Sequence, residues 1–214
     1  MKNREIVMAQ KRRGMLIIIS GPSGTGKGTL CERLIKQDGN IAFSVSATTR
    51  PAREGEVDGV HYHFLTEAAF DELLEAGAFL EYATVHDHRY GTLRKPVQDA
   101  LEAGQDILLD VDSQGAASVM KSLPEAVSVF VLPPSFQALE QRLHTRNTDD
   151  AMEIEKRLFN ARAEIKRCRN YCYALINDDL DTALSRLQCI VTAERQRTLR
   201  YLPEISEEMN QARG

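Results

Sequence analysis

No apolar run in this sequence approaches the roughly 20 residues that a membrane-spanning helix requires, and a cytoplasmic protein is expected. Four cysteines, Cys31, Cys168, Cys172 and Cys189, are too few and too scattered for a disulfide-stapled scaffold in a chain of 214 residues. Cys168 and Cys172 would share a helix face, but no histidine lies near them, so packing or a surface thiol explains them better than a metal pair. Surplus positive charge is missing as well. A net charge of -4 argues against a general nucleic-acid binder and confines any basic surface to a local site for a small anion. Internal repeats and low-complexity segments are absent. What is present, 43% hydrophobic and 27% charged residues, suits a globular protein with one sizeable core.

Residues 1–14 are basic and polar, with Lys2, Arg4, Lys11, Arg12 and Arg13 against Glu5, and read as a flexible tail. The apolar stretch after them is too short for a signal peptide and runs into the motif that organises the chain, LIIISGPSGTGKGTL. A loop that wraps phosphates points several backbone N–H groups inward, which requires close approach and unusual backbone angles, so Gly21, Gly24, Gly26 and Gly28 fit. Pro22, Ser23 and Thr25 complete the loop, and Lys27 supplies a cation for the β and γ phosphates of a nucleotide. The helix after it, from Thr29 to about Gln37, adds its positive N-terminal end. Gly21 and Gly26-Lys27 have the G-x-x-x-x-G-K spacing in a strand–loop–helix context. Gly28 stands where a Ser or Thr usually offers a hydroxyl to Mg²⁺, and the hydroxyl comes one place later, at Thr29. Direct magnesium ligation by the loop is therefore not expected.

Further along, Ile41–Ala47 reads as a strand and TTRPAREGEVDG as a polar segment in which Arg50 and Arg53 bracket a proline, as a fixed anion site would. Val60–Leu65 reads as a strand. Thr66 can cap a helix with the stripe Phe70, Leu73 and Leu74, ended by Gly77. Phe79–Val85 is a strand containing Glu81, His86–Thr92 a polar loop, and Leu93 to Ala103 a helix. Asp106–Asp112, DILLDVD, is an apolar strand ending in two carboxylates, Asp110 and Asp112, at the edge where open parallel sheets bind ligands. One such carboxylate could merely cap the next helix, but two on alternate positions, pointing the same way, are better explained by a polar site. Val127–Leu132 is a strand, Ser135 caps a helix to about Thr145, and the segment to Arg169 is rich in arginine and lysine. A short strand, Ala174–Ile176, precedes a terminal helix from Asp179 to about Tyr201. This alternation predicts an α/β fold: a mainly parallel sheet flanked by helices, interrupted by a small inserted subdomain.

From about Met15 to Arg195 the chain resembles guanylate kinase, a nucleoside monophosphate kinase of the P-loop class. The stretches that carry the resemblance are SGPSGTGKGTL, SVSATTRPAREGEVDGVHYHF, FLEYATV with RYGT, LLDVDSQGA, FVLPPS and INDDLDTA. The most specific is the second, with Arg50, Arg53, Glu56, Gly59, Tyr62 and Phe64 at the family's spacing. The resemblance implies a domain over 15–214, with a core of 15–44, 93–134 and 170–214, a GMP-binding subdomain at 45–92 and a helical lid at 135–169. It also implies transfer of the γ phosphate of ATP to GMP, and to dGMP as a second acceptor, with Mg²⁺ accompanying ATP, in purine nucleotide metabolism. The oligomeric state stays open, and neither nucleic acid nor membrane is an expected partner.

By the same resemblance, GMP's phosphate lies against Arg50, Arg53, Tyr62 and Tyr90, and guanine against Ser46, Glu81 and Thr92, with Asp110 assisting. Guanidinium forks suit phosphate oxygens, and a carboxylate can accept from both N1–H and the amine of guanine while repelling the N1 acceptor of adenine. Arg142, Arg146 and Arg157 match the lid and its base, acting with Lys27 in catalysis. Asn177 matches a position near the adenine of ATP, and Asp110 and Asp112 are candidates to hold Mg²⁺ through water. The sequence departs from the family at Pro51-Ala52, where proline and the following residue are reversed, at Asn147 in place of glycine, at Ser113 where a larger residue is common, and in the His86–Arg89 loop. A kinase of the same build acting on a phosphorylated sugar would lack Ser46, Glu81 and Thr92. A phosphopeptide-binding module derived from the same fold would have lost the lysine loop or lid arginines.

Overall fold

The computed structural model describes residues 12–85, 87–145 and 151–201, with the backbone alone at Ala151. Strand β1 (Leu16–Ser20) lies at the centre of a five-stranded parallel sheet with β2 (Ile41–Phe43), β7 (Asp106–Asp110), β8 (Val127–Leu132) and β9 (Tyr173–Ile176), in the order β2-β7-β1-β8-β9. Both faces of β1 are covered, which is why it is an unbroken apolar run rather than an alternating one. Ile17 and Ile19 pack with residues of α1 (Lys27–Gln37) and α7 (Leu180–Arg195). Leu16 and Ile18, pointing the other way, pack with α3 (Arg94–Glu102) and α4 (Ser113–Ser122).

A second sheet, β4-β3-β6-β5, is built from β3 (Ala47–Thr48), β4 (His63–Phe64), β5 (Phe79–Val85) and β6 (His88–Leu93). Its core is Ala47, Phe70 and Phe79, with Phe70 of α2 (Glu67–Glu75) stacked on Phe79 at 4.4 Å between ring centroids. Helices α5 (Phe136–Thr145) and α6 (Ala151–Lys166) pack through Leu139, Leu143, Ile154 and Ala161, and a 3₁₀ turn, Arg167–Asn170, leads into β9. Caps occur where the residue types suggest: Thr66, Ser135 and Asp179 each accept from a backbone N–H three residues on.

Several expected elements are redrawn. Ile41–Ala47 is divided between the two sheets, because the chain leaves the first after Phe43 and enters the second at Ala47. Of Val60–Leu65 only His63–Phe64 is strand. Most of the segment read as a polar loop is strand: His88–Leu93 forms β6, since the backbone groups of β5 find their partners there, with Asp87 before it at φ 63°. Helix α1 starts at Lys27 rather than Thr29, β7 stops at Asp110, and α7 ends at Arg195. Arg12 to Gly14, read as part of a flexible tail, are tied to the body: Arg12 pairs with buried Asp106, and the Gly14 N–H donates to Leu101 O. Residues 1–11, His86, Arg146 and Asn147 lie outside the described residues.

Candidate active site

The glycine loop joins the C-terminal end of β1 to the N-terminus of α1. Gly21 sits at φ 141°, and a Cβ there would meet Val131 O of β8 at 2.3 Å, so no other residue fits without moving the sheet. Gly26 caps α1 at φ 86°, where a Cβ would meet the Asn177 amide at 2.5 Å. That amide donates to Thr25 O at 2.8 Å, and Thr25 Oγ1 to Pro22 O at 2.9 Å, so both residues hold the shape of the loop. Asn177 is nearly fully buried, which makes it a clamp on the loop backbone as well as a wall of the neighbouring cleft.

Two clefts flank the loop. One, of about 510 Å³, is lined by Gly21, Ser23, Gly24, Gly26, Lys27, Gly28, Asp110, Val111, Asp112 and Glu164. Here Lys27 Nζ donates to Gly21 O at 2.6 Å and Pro22 O at 3.2 Å. Asp110 opens onto the cleft but is ringed by protein, and the resulting loss of hydration raises its pKa, opposed by the charge of Lys27. Glu164, from the end of α6, is raised for the same reason, again with Lys27 opposing. Asp112 is the N-cap of α4, its Oδ1 accepting from Gln114 N and Gly115 N at 2.9 and 2.7 Å. The helix-cap reading of Asp112 is thus the observed one, with its carboxylate also facing the cleft. Arg157 of α6 reaches the loop, donating to Ser23 Oγ at 3.3 Å.

The other cleft, of about 530 Å³, lies between the loop, α5 and Asn177, with Thr29, Ala138, Gln141, Thr145 and Leu180 in its walls. Arg142 is here, donating to Asn177 O at 2.9 Å, and not in the cleft that holds Lys27. Arg142, matched to the lid and its base, thus lines the cleft beside Asn177 in this structure. Thr29, too, faces this second cleft, one residue beyond exposed Gly28.

The second sheet gathers the remaining residues. Arg50 Nη2 donates to both oxygens of Glu56 at 2.8 and 2.9 Å, and its guanidinium lies 5.4 Å from the Tyr62 ring centroid. Tyr62 and Tyr90 meet edge to face at 6.0 Å. Glu56, pulled below the usual carboxylate range by its bonds to Arg50 and the Arg53 N–H, organises both arginines. Glu81 on β5 faces Thr92 on β6, whose hydroxyl donates to Glu81 Oε1 at 2.6 Å. Burial raises the Glu81 pKa, the Thr92 bond opposes this, and the charge of Asp112 adds to the rise. Ser46 is half-buried beside this pair's sheet, its carbonyl accepting from His63 N.

Glu164 carries no sequence signal, being one acidic residue on a charged helix; only the fold turns it toward Lys27. Glu56 was visible in the spacing of the arginine segment but without a role. Magnesium can be weighed against the donors present. Gly28 offers no hydroxyl, and among the described residues no three His, Cys, Asp or Glu side chains converge closely enough to ligate an ion directly. Asp110 and Asp112 in the same cleft as Lys27 suit a hydrated dication held through water.

The family model described as guanylate kinase matches residues 13–194. A guanylate kinase from Carboxydothermus hydrogenoformans is 48% identical over 183 residues, covering 86% of this chain and 90% of its own. One from Clostridioides difficile is 44% identical over 200 residues, covering 94% and 98%. Among solved structures, guanylate kinase from Anaplasma phagocytophilum superposes with a TM-score of 0.69 at 33% identity, covering 91% of this chain and 93% of that one.

Proposed function

Because the chain belongs to the guanylate kinase family and transfers phosphate from ATP to GMP, we propose that the cleft holding Lys27 receives the ATP phosphates and that the second sheet receives GMP. The observation that carries the reading is the separation of two kinds of recognition. One lysine-bearing glycine loop faces a polar cleft, and a distinct half-buried carboxylate, Glu81, is held by Thr92 on the inserted sheet.

In this reading Gly21 to Thr29 cradle the triphosphate with backbone N–H groups, and Lys27 exchanges its bonds to Gly21 O and Pro22 O for phosphate oxygens. The base of ATP occupies the cleft walled by Asn177 and Arg142. Arg50, Arg53, Tyr62 and Tyr90 hold the GMP phosphate, with Glu56 fixing the arginine loop. Ser46, Glu81 and Thr92 read guanine. The contacts assigned to GMP are to phosphate and base, none to the ribose 2′ position, so dGMP is a second acceptor.

A GMP phosphate oxygen attacks the γ phosphorus as the bond to the β–γ bridging oxygen breaks, and ADP leaves. The attacking oxygen is already anionic, so no protein base is needed; alignment and charge neutralisation decide the rate. Lys27 and Arg157 meet the equatorial oxygens, and Arg146 joins them from the lid by the family resemblance. Asp110 and Asp112 would hold Mg²⁺ through water, and the ion would add neutralisation of the triphosphate when bound. Asp112 has one oxygen committed to the cap of α4, leaving the other for water.

A coupled assay of ADP release with GMP, dGMP, AMP and UMP as acceptors tests the assignment, repeated for Glu81→Gln. The expected result is turnover with GMP and dGMP, and a weaker GMP/AMP preference in the variant. An unchanged preference would remove Glu81 from guanine recognition.

A further inference from the structure

Glu81 does not sit against its own sheet alone. Its Oε1 accepts from Thr92, but its Oε2 approaches the core, where it lies over Gly115 in the first turn of α4. A Cβ on Gly115 would meet Glu81 Oε2 at 3.2 Å and Asp112 Oδ1 at 3.4 Å, and nothing closer. That is tighter than a methyl carbon normally sits against an oxygen, and the element able to yield is the end of the Glu81 side chain. Gly115 has no positive φ, so its backbone does not require glycine, and its N–H is already used by the Asp112 cap. The carboxylate thus accepts from a hydroxyl of the inserted sheet on one side and, on the other, faces a core-helix position with less than a methyl group's room between them.

We propose that Gly115 is a positioning residue for acceptor specificity: its missing side chain lets the Glu81 carboxylate seat against α4 at the depth and angle needed to accept from guanine N1–H and the exocyclic amine. The inference rests on the reading that Glu81 recognises guanine. It assigns to the core helix, rather than to the inserted sheet alone, a share in holding the carboxylate that reads guanine.

The test is Gly115→Ala, measured with Glu81→Asp, Glu81→Gln and the Gly115→Ala/Glu81→Asp double variant. Gly115→Ala should raise the GMP KM by about tenfold, a loss of about 1.4 kcal/mol, with kcat at saturating GMP and the ATP KM each within about twofold. Its melting temperature should stay level or rise, since alanine is the better helix former. A merely structural role would move stability the other way. In Glu81→Asp the carboxylate is withdrawn by one methylene, so adding the methyl at 115 should raise the GMP KM by less than about twofold further. A full, additive effect in that background would overturn the proposal, as would a fall in melting temperature with loss of kcat. If Glu81→Gln weakens GMP but Gly115→Ala does not, the positioning role is wrong and the guanine assignment survives. If Glu81→Gln changes nothing, both fall together.

Discussion

Asp106 offers a perturbation in which stability and catalysis should separate. It begins β7 with its side chain wholly buried, accepting from Arg12 Nη1 at 2.8 Å and Nη2 at 3.0 Å, Arg195 Nε at 2.8 Å and Met15 N at 2.8 Å. Asp106→Ala leaves two guanidinium groups and a backbone N–H without their acceptor. Removing one partner of a buried ion pair typically costs about 3–5 kcal/mol. Arg12 and Arg195 keep 17% and 21% of their side-chain surface in water, and Arg195 still pairs with Asp38 at 2.7 Å, so the lower end applies. A loss of about 3 kcal/mol in a domain of this size lowers the melting temperature by about 6–12 °C. The reacting end of the strand, Asp110, is four residues away, about 13 Å along an extended chain. Thermal unfolding of ligand-free protein should show the drop, while kcat at 25 °C stays unchanged. Asp106→Asn, which keeps the shape and one acceptor, should fall between. A drop of less than about 2 °C would show that the cluster is replaced by water at little cost, against the burial argument.

Lys27→Ala should lower kcat by about two orders of magnitude or more while leaving the GMP KM largely intact, because electrostatic stabilisation is lost at one site only; equal loss of both in steady-state kinetics would contradict separate sites. Glu81 must be ionised to accept from guanine, and burial lifts its pKa above the ordinary 4.5, so the GMP KM should climb as pH falls through that raised value. The climb should vanish in Glu81→Gln; a profile identical to that of the unaltered enzyme would assign it to another group. For stability the signs oppose. Asp38, held low by Arg195, contributes above its unfolded value and loses this as pH falls through the lowered one, whereas Glu81 costs stability as pH rises through its raised one. Gly28→Ser adds a hydroxyl where a Cβ meets nothing within 4 Å, so it should fold normally. Its kcat and Mg²⁺ dependence should stay within about threefold if the ion is held through water; a tenfold change would point to direct ligation.

The local motifs were the readable part of this chain. The glycine loop needs small residues at fixed offsets for steric reasons that operate within ten residues, and the uniform apolar run Ile17–Ile19, running straight into that loop, fits a strand covered on both faces. The arginine segment was legible for a similar reason: Arg50, Glu56 and Tyr62 find one another across a short turn. The second sheet was harder. A polar stretch such as HRYGT, residues 88–92, has no inward periodicity, and it becomes a strand because β5 offers it backbone partners. Arg142 gave no local sign of its partner, since the hydrogen bond it makes is to Asn177 O, 35 residues away in sequence.

Composition, spacing and turn chemistry by themselves determined that this is an α/β protein with a phosphate loop at the end of its first strand, since those features follow from steric and hydrogen-bonding rules between near neighbours. Only the tertiary structure decided which distant groups share a cleft. Glu164 meets the field of Lys27, Asn177 clamps the loop, and Glu81 faces Gly115 of a helix packed on the other sheet. Such meetings depend on how sheets and helices pack, and a carboxylate on a strand carries no local mark of the α-carbon it will face.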